Sequence, residues 1–273
     1  MPSRTAVRFG PSVPLRFVTD SGPRGIVEAA VDGVAVPMLV HANAGLTVML
    51  THDALRRVTG RTVNKESDFG LGHDLRVSER GRGSTVLASL EVAGARLDDV
   101  SCAVFDLPTT NWEGMLGVGW LDAVRPVVDF GSRLLSAPPA DARPFGAARI
   151  PFALDDSVGR YIVELLVDGS PAAFIVSTVA ETTLDLAFAR DRGLELTDPT
   201  GVEHGPGGAV VPVHRTQQPV SLAHPGGHLA TCELSVYDTY AYRGEERPAD
   251  GTAVAGFLGA DVLLATRAVV DFG

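Results

Sequence analysis

The sequence predicts an all-β fold built from two similar halves. Short runs rich in Val, Leu and Ala are separated by Gly, Pro and Asp about every ten residues, which is typical of strands joined by turns. The pattern V-E-x-x-V-D-G occurs at 27–33 and again at 163–169, and V-V-D-F-G occurs at 127–131 and again at 269–273. Such a repeat indicates a duplicated fold whose equivalent loops face each other across a pseudo-two-fold axis.

The composition excludes several classes of partner. The chain has 273 residues, 45% of them hydrophobic, which is enough for a well-packed core. It carries 23 Lys and Arg against 33 Asp and Glu, a net charge of −10, which argues against a nucleic-acid or anionic-membrane partner. Residues 1–10 contain no apolar stretch, and no run of about 18 apolar residues occurs elsewhere. We therefore expect a cytoplasmic protein without a membrane partner.

The boundary between the halves is placed at a stretch rich in Pro and Ala. This stretch, S-A-P-P-A-D-A-R-P-F at 136–145, replaces the strand pattern, as expected of a linker. The prediction is an N-terminal lobe at 1–135, a linker at 136–148 and a C-terminal lobe at 149–273. Two helices are predicted, at 51–59 and 186–193, in equivalent places of the two halves. Two lobes in one chain predict a monomer.

Cysteines and histidines give no metal or disulfide pattern. Cys102 and Cys232, the two cysteines, lie in apolar text and are interpreted as buried free thiols. The second half contains four histidines, but Pro-Gly-Gly separates His224 from His228 and precludes the helical spacing of a zinc motif. We predict neither a metal site nor a cofactor.

Within each half the order is strand, V-D-G turn, apolar strand, short polar loop, helix, hairpins, an apolar-Leu-Gly segment and V-V-D-F-G. Over nearly the whole chain this order resembles the retropepsin-like aspartic protease family. The family's Asp-Thr-Gly-Ala loop corresponds to H-A-N-A at 41–44 and to S-T-V-A at 177–180. Its apolar-apolar-Gly segment corresponds to M-L-G at 115–117 and F-L-G at 257–259. The resemblance implies two lobes in one chain, related by a pseudo-two-fold axis, with a cleft between them.

Both catalytic carboxylates of the family are replaced in this sequence. His41 and Ser177 stand at the two Asp positions. Aspartic proteolysis needs two carboxylates that share a proton, so we predict no aspartic-protease activity. Three roles remain open for the pair: nucleophilic catalysis by Ser177 with His41 as base, acid–base catalysis by His41, or no catalytic role.

The resemblance also implies two lids and a clasp between the lobes. The first lid falls at 69–84, where Arg76, Arg80 and Arg82 either close over an anionic ligand or are simply solvated; the second falls at 202–216. The hydroxyl of Thr178 can still clasp the other lobe, whereas Ala42 cannot.

Three further residues have roles predicted by the resemblance or by their side chains. Trp112 either lines the cleft or packs in the core. Asp129 and Asp271 match the family's closing strand, so we interpret them as structural residues.

These observations predict a non-proteolytic protein whose interlobe cleft binds a small molecule or a peptide. If the cleft is catalytic, we expect the acid–base or templated chemistry of a repurposed biosynthetic enzyme, such as cyclisation, isomerisation or elimination. His41 would then move the proton while Asn43, Ser177 and Thr178 position the substrate. The alternative is an inactive module that binds a peptide or protein by strand addition.

Overall fold

The computed structural model of the chain describes residues 12–19, 22–137, 149–249 and 252–273. Most of the predicted linker, 138–148, lies outside these ranges. The described residues form mostly strands with five short helices, which confirms the all-β prediction. The first half contains strands β1 (Val13–Pro14), β2 (Arg16–Val18), β3 (Arg24–Val31), β4 (Val34–Val40), β5 (Val48–Leu50), β6 (Gly83–Val92), β7 (Ala95–Val104), β8 (Gly114–Leu116), β9 (Val127–Asp129) and β10 (Leu134–Ser136).

The second half repeats this succession. Its strands are β11 (Phe152–Asp155), β12 (Arg160–Val167), β13 (Ser170–Val176), β14 (Thr183–Asp185), β15 (Gly201–His204), β16 (Val210–Arg215), β17 (Val220–His224), β18 (Gly227–Cys232), β19 (Ser235–Tyr237), β20 (Gly256–Leu258) and β21 (Val269–Asp271). The helices are α1 (His52–Thr59), α2 (Val118–Val124), α3 (Leu186–Asp191), α4 (Thr239–Arg243) and α5 (Ala260–Ala265).

Each lobe is a curved sheet that begins with a tight hairpin. Asp32 and Gly33 join β3 to β4 with φ of 48° and 81°, and Asp168 and Gly169 join β12 to β13 with φ of 46° and 81°. Two successive positive φ values are the mark of a type I′ turn, which explains why the V-D-G signal is repeated. In the first lobe the strand order is β2-β3-β4-β8-β5-β7-β6, and β3 also pairs with β6, so the sheet closes on itself.

The second lobe keeps the same inner strand order. In place of the long β6–β7 hairpin it has two shorter hairpins, β15–β16 and β17–β18, followed by β19. The order is β15-β16-β19-β14-β20-β13-β12-β17-β18, with β11 added alongside β12. The parallel pair β13–β20 matches β4–β8, and β14–β19 matches β5–β7. The lobes therefore share one topology.

A separate four-stranded sheet, β1-β10-β9-β21, joins the two halves. At one edge of this sheet, β9 and β21 are formed by the two V-V-D-F-G segments, which run antiparallel with Val128 opposite Val270. Val270 is the repeat equivalent of Val128, so the pseudo-two-fold axis passes between them. Asp129 and Asp271 each accept a hydrogen bond from a nearby backbone N–H, that of Ser132 at 2.8 Å and that of Gly273 at 3.1 Å. Each carboxylate thus binds the backbone two or three residues further along the chain.

Two of the five helices match the prediction. Thr51 caps α1 through its side chain and Asp185 caps α3 in the same way, as expected of helix N-termini. Helices α2 and α5, which follow the two apolar-Leu-Gly segments, and the short α4 were not predicted. The residues before α2 and α5 are Gly117 and Gly259, which offer no side-chain cap, so the usual start signal is missing.

A large apolar core fills both lobes, and Trp120 and Phe174 are among its fully buried side chains. Both cysteines are free thiols; Cys102 is buried, while Cys232 is partly exposed. Among the described residues, none of the helices has the length and apolar character needed to span a membrane.

Candidate functional site

Two short loops leave equivalent strands and meet between the lobes. We call residues 41–44, after β4, the first loop and residues 177–180, after β13, the second loop. The apolar-Leu-Gly segments hold both: the His41 N–H donates to the Leu116 carbonyl at 2.9 Å, and the Ser177 N–H donates to the Leu258 carbonyl at 2.8 Å. These hydrogen bonds place His41 and Ser177 at the centre of the molecule, between the lobes.

Thr178 joins the two loops across the axis. Its hydroxyl accepts a hydrogen bond from the Ala42 N–H at 2.9 Å and donates one to the Val40 carbonyl at 2.7 Å. Thr178 lies 136 positions after Ala42, so here too a residue bonds to its own repeat equivalent. The side chain is only 2% exposed. Thr178 therefore clasps the lobes, and its hydroxyl is engaged there rather than in positioning a substrate as the sequence suggested.

His41 lies partly exposed in the cleft and is neutral over the physiological range. Its Nδ1 accepts a hydrogen bond from the Asn43 N–H at 3.3 Å, so the proton of the neutral ring is on Nε2. Burial against the surrounding protein, followed by the positive charges of Arg24 and Arg160, lowers the pKa of His41 from 6.5 to about 3. A group with this pKa is a weak base, which argues against the expected role of His41 as a proton acceptor at neutral pH.

Ser177 is not arranged as a nucleophile. It is 3% exposed, and its hydroxyl donates to the Val179 carbonyl at 3.0 Å within its own loop. Among the described residues no hydrogen bond joins His41 to Ser177, so a Ser–His pair is not formed. This arrangement gives no support to nucleophilic catalysis by Ser177.

The second loop follows a path of its own. Val179 pairs with Arg24 as an isolated antiparallel bridge, and the Ala180 N–H donates to the Pro23 carbonyl at 2.8 Å. Val179 keeps a negative φ, whereas Ala180 takes up a φ of 60°. A branched side chain disfavours the left-handed region, so the strain lies at the smaller neighbour.

An arginine from the second lobe covers the first loop. The guanidinium of Arg160 donates from Nε to the Asn43 side-chain oxygen at 3.3 Å and lies directly against Gly45, where a Cβ would collide with it. Asn43 is therefore held by Arg160 at the cleft floor. Arg160 lies 136 positions after Arg24, and each of the two arginines contacts the loop of the opposite lobe.

Two connected pockets occupy the space between the lobes, and His41 lies where they meet. The larger pocket, of about 700 Å³, is lined by both lobes, and its lining includes Arg24, Trp112, Ser177, Glu181 and Glu203. The smaller pocket, of about 330 Å³, contains Phe69, Arg82, Arg160, Arg243 and Glu245. Both pockets include His41, Asn43, Leu107, Met115 and His204.

The two lids touch each other above the cleft. The Gly70 N–H of the first lid donates to the Pro206 carbonyl of the second at 2.8 Å. The second lid is the β15–β16 hairpin, as predicted, whereas the first is a loop with isolated bridges at Ser67–Arg82 and Leu71–Val77 rather than a hairpin of regular strands. A glycine is required at Gly205, because a Cβ would clash with the Tyr242 carbonyl.

The three arginines of the first lid have different surroundings. Arg76 is 87% exposed beside Asp74, and Arg80 pairs with Asp53 at 2.7 Å and with Asp106 at 2.8 Å. Neither side chain is among those that line the two pockets, so a role of Arg76 or Arg80 over an anionic ligand stays a prediction. Arg82 lines the smaller pocket and packs over the rings of Phe69 and Phe105. Trp112 is 6% exposed and contributes to the wall of the larger pocket, so it serves as both core and lining.

Sequence reasoning missed the charged groups of the cleft other than Arg82. Arg24, Arg160, Arg243 and Glu203 were not singled out, although the repeat maps Arg24 onto Arg160 and could have revealed that pair. Desolvation raises the pKa of Glu203, and the positive charge of Arg24 opposes this shift.

The histidines of the second lobe, all of which the structure describes, do not form a metal-binding group. His204 lines both pockets, while His214 Nδ1 is hydrogen-bonded to the Thr197 carbonyl at 2.9 Å. Among the described residues, no three His, Cys, Asp or Glu side chains are grouped to hold a metal.

Comparison with known proteins gives no family assignment from sequence. No family model and no curated protein matches the chain. Among solved structures, an aspartic proteinase from Irpex lacteus shares 12% identity over 93% of this chain and 92% of its own, with a TM-score of 0.48. A retropepsin-like aspartic protease from Rickettsia conorii shares 13% identity over 49% of this chain and 94% of its own, with a TM-score of 0.35. The described residues of this chain form two lobes joined by the interlobe sheet and by the Thr178 clasp.

Proposed function

We propose that the interlobe cleft binds a small molecule or an extended peptide and does not hydrolyse it. The observation that carries this proposal is the pair of loops at the cleft floor, which present an imidazole and an engaged hydroxyl in place of two carboxylates. A water molecule cannot be activated there by a proton-sharing acid pair. The pockets remain, roofed by the two lids, in the size range of small-ligand sites.

A neutral His41 supports binding more than proton abstraction. With Nδ1 accepting from Asn43, the ring offers Nε2–H as a hydrogen-bond donor to a ligand oxygen. A neutral imidazole can stabilise a developing oxyanion without changing its own protonation state. Templated cyclisation, isomerisation or elimination is therefore the second candidate, with His41 as a donor rather than a base.

The alternative is a module without chemistry that binds a peptide or a protein by strand addition. It differs from the second candidate in the kind of partner and in whether a bound compound is converted, and one experiment with a mixed extract addresses both differences. The full chain is incubated with a small-molecule and peptide extract, and the bound and free fractions are analysed by mass spectrometry. We expect the protein to retain a compound; conversion of that compound by the wild type and its loss in His41→Ala would select catalysis.

A matched pair of variants locates the binding. Leu107 lines both pockets, so Leu107→Trp fills their junction and should abolish retention. Val86 lies on β6 and is 52% exposed, so Val86→Trp adds the same ring outside the cleft and should retain the compound. Equal retention by the two variants, or cleavage of an unfolded substrate protein in a pepstatin-sensitive manner, would overturn the proposal.

A further inference from the structure

The smaller pocket is strongly cationic. Its charged lining consists of three arginines, Arg82, Arg160 and Arg243, and one carboxylate, Glu245, which sum to +2. The larger pocket is different, because Glu181 and Glu203 line it together with Arg24. The charge of the cleft is thus concentrated on the side where Arg160 covers the first loop.

Arg243 is the most unusual of these side chains. It is 8% exposed, its Nε donates to Glu245 at 2.7 Å, and its guanidinium lies 4.5 Å from the ring centre of Tyr240 and 5.5 Å from that of Phe257. Its two terminal nitrogens, Nη1 and Nη2, are buried without a hydrogen-bond partner among the described residues. Buried guanidinium N–H groups without partners are costly, so they point to a function that supplies an acceptor.

The first lobe has no carboxylate at the position where the second lobe has Glu181. The residue facing Arg160 is Gly45, and 136 positions later the second loop continues with Glu181, which lines the pocket that contains Arg24. Glu245 reaches Arg160 only at 3.5 Å and is shared with Arg243. One carboxylate therefore serves two guanidinium groups, whereas planar guanidinium groups favour bidentate oxyanion partners.

We propose that the smaller pocket binds an oxyanion, a carboxylate or a phosphate, carried by the cleft ligand, and that the Arg243 guanidinium turns toward it so that Nη1 and Nη2 become its main donors. Arg160 and Arg82 add charge, and the Nε2–H of His41 lies at the junction through which the rest of the ligand enters the larger pocket. This inference rests on the proposed function and names the chemical class of its ligand. Phe69 and Phe105 supply an apolar wall beside the anion.

The test is calorimetric titration of the full chain, at low ionic strength, with three probes: phenylacetate, its neutral isostere phenylacetamide, and inorganic phosphate. We expect at least one anion to bind about tenfold or more tightly than the amide, because the pocket's charge acts on the anion alone. The stronger of the two anions identifies the group as carboxylate or phosphate. Higher salt should weaken binding.

Matched variants make the result specific. Arg243→Gln removes the donors and should lower anion affinity by about tenfold or more. Arg82→Gln, which leaves the buried Arg243 in place, should lower it less and serves if Arg243→Gln does not fold. Arg96→Gln removes one positive charge from an exposed pair with Asp98 on β7 and should leave binding unchanged.

Two results would overturn the inference. The first is equal affinity for phenylacetate, phosphate and phenylacetamide, or no binding of any of them; the second is unchanged anion affinity in both Arg243→Gln and Arg82→Gln. If these results appear while the extract experiment still shows a compound retained by the wild type and lost in Leu107→Trp, the proposed function stands and only the anion site falls. If the wild type also fails to retain a compound from the extract, both the anion site and the proposed function are wrong.

Discussion

The first and second loops occupy equivalent places in the two lobes but have different structural roles. The first loop keeps His41 and Asn43 at the cleft floor, where Arg160 covers it. The second loop is buried: Ser177 bonds within its own backbone and Thr178 holds the lobes together. Duplication in one chain allows this division, because each copy can change alone while a symmetric homodimer must change both loops at once.

The arginine pair shows the same divergence. Arg24 and Arg160 are repeat equivalents that each contact the opposite loop, but Arg24 shares its pocket with Glu181 and Glu203, while Arg160 faces Gly45. The cleft therefore has one side of mixed charge and one cationic side. A neutral imidazole, that of His41, lies between them.

The largest expected effect comes from breaking the clasp. Thr178→Val keeps the side-chain shape but leaves the buried Ala42 N–H and Val40 carbonyl without partners, which should cost about 2 to 5 kcal/mol of unfolding free energy. Chemical denaturation measures this. A loss below about 1 kcal/mol would show that the second loop does not hold the lobes together.

The next effect concerns His41 and pH. The folded-state pKa of His41, about 3, lies below the unfolded value of 6.5, so the unfolded chain binds more protons between these two pH values. Folding stability therefore falls as the pH falls from 6.5 toward about 3. Between about pH 7 and about pH 5, wild type should lose about 1 to 2 kcal/mol more than His41→Gln. Parallel pH dependence in the two proteins, measured by denaturation, would show that His41 titrates normally.

A substitution at Gly45 tests the difference between the two arginines. Gly45→Asp and Gly45→Asn both displace the Arg160 guanidinium through their Cβ, but only Gly45→Asp adds a carboxylate that competes with an anionic probe, so its affinity for the probe should be about tenfold lower than that of Gly45→Asn. Titration with phenylacetate and phosphate measures this, with Gly45→Asn as the neutral control. Equal affinity in the Asp and Asn variants would argue against an anion at Arg160.

The smallest effect is expected from the buried hydroxyl of the second loop. Ser177→Ala removes only the bond to the Val179 carbonyl, so it should cost about 1 kcal/mol or less, measured by the same denaturation as Thr178→Val. A loss as large as that of Thr178→Val would place part of the clasp in Ser177.

Much of the fold could be predicted from sequence because turns and repeats are local signals. The two V-D-G segments form type I′ turns, and the side-chain caps of α1 and α3 mark helix starts. Helices α2 and α5 were missed because glycines precede them and their residues are mostly apolar. The pairing of Val128 with Val270 was also missed, since a repeat does not show which segments meet.

The candidate site was predictable in position but not in chemistry. The resemblance predicted that His41, Asn43, Ser177 and Thr178 lie between the lobes, whereas their roles depend on burial and on partners that no motif encodes. Arg243 gives no sequence signal, because only packing against Tyr240 and Phe257 buries its guanidinium.

The most direct test of a neutral cleft floor is an NMR pH titration of the His41 Cε1 proton, assigned with His41→Gln. The account predicts no titration between about pH 5 and about pH 8 in the free protein, and a higher midpoint when an anion that binds the smaller pocket offsets Arg24 and Arg160. A midpoint near 6.5 in the free protein, unmoved by the anion, would contradict it.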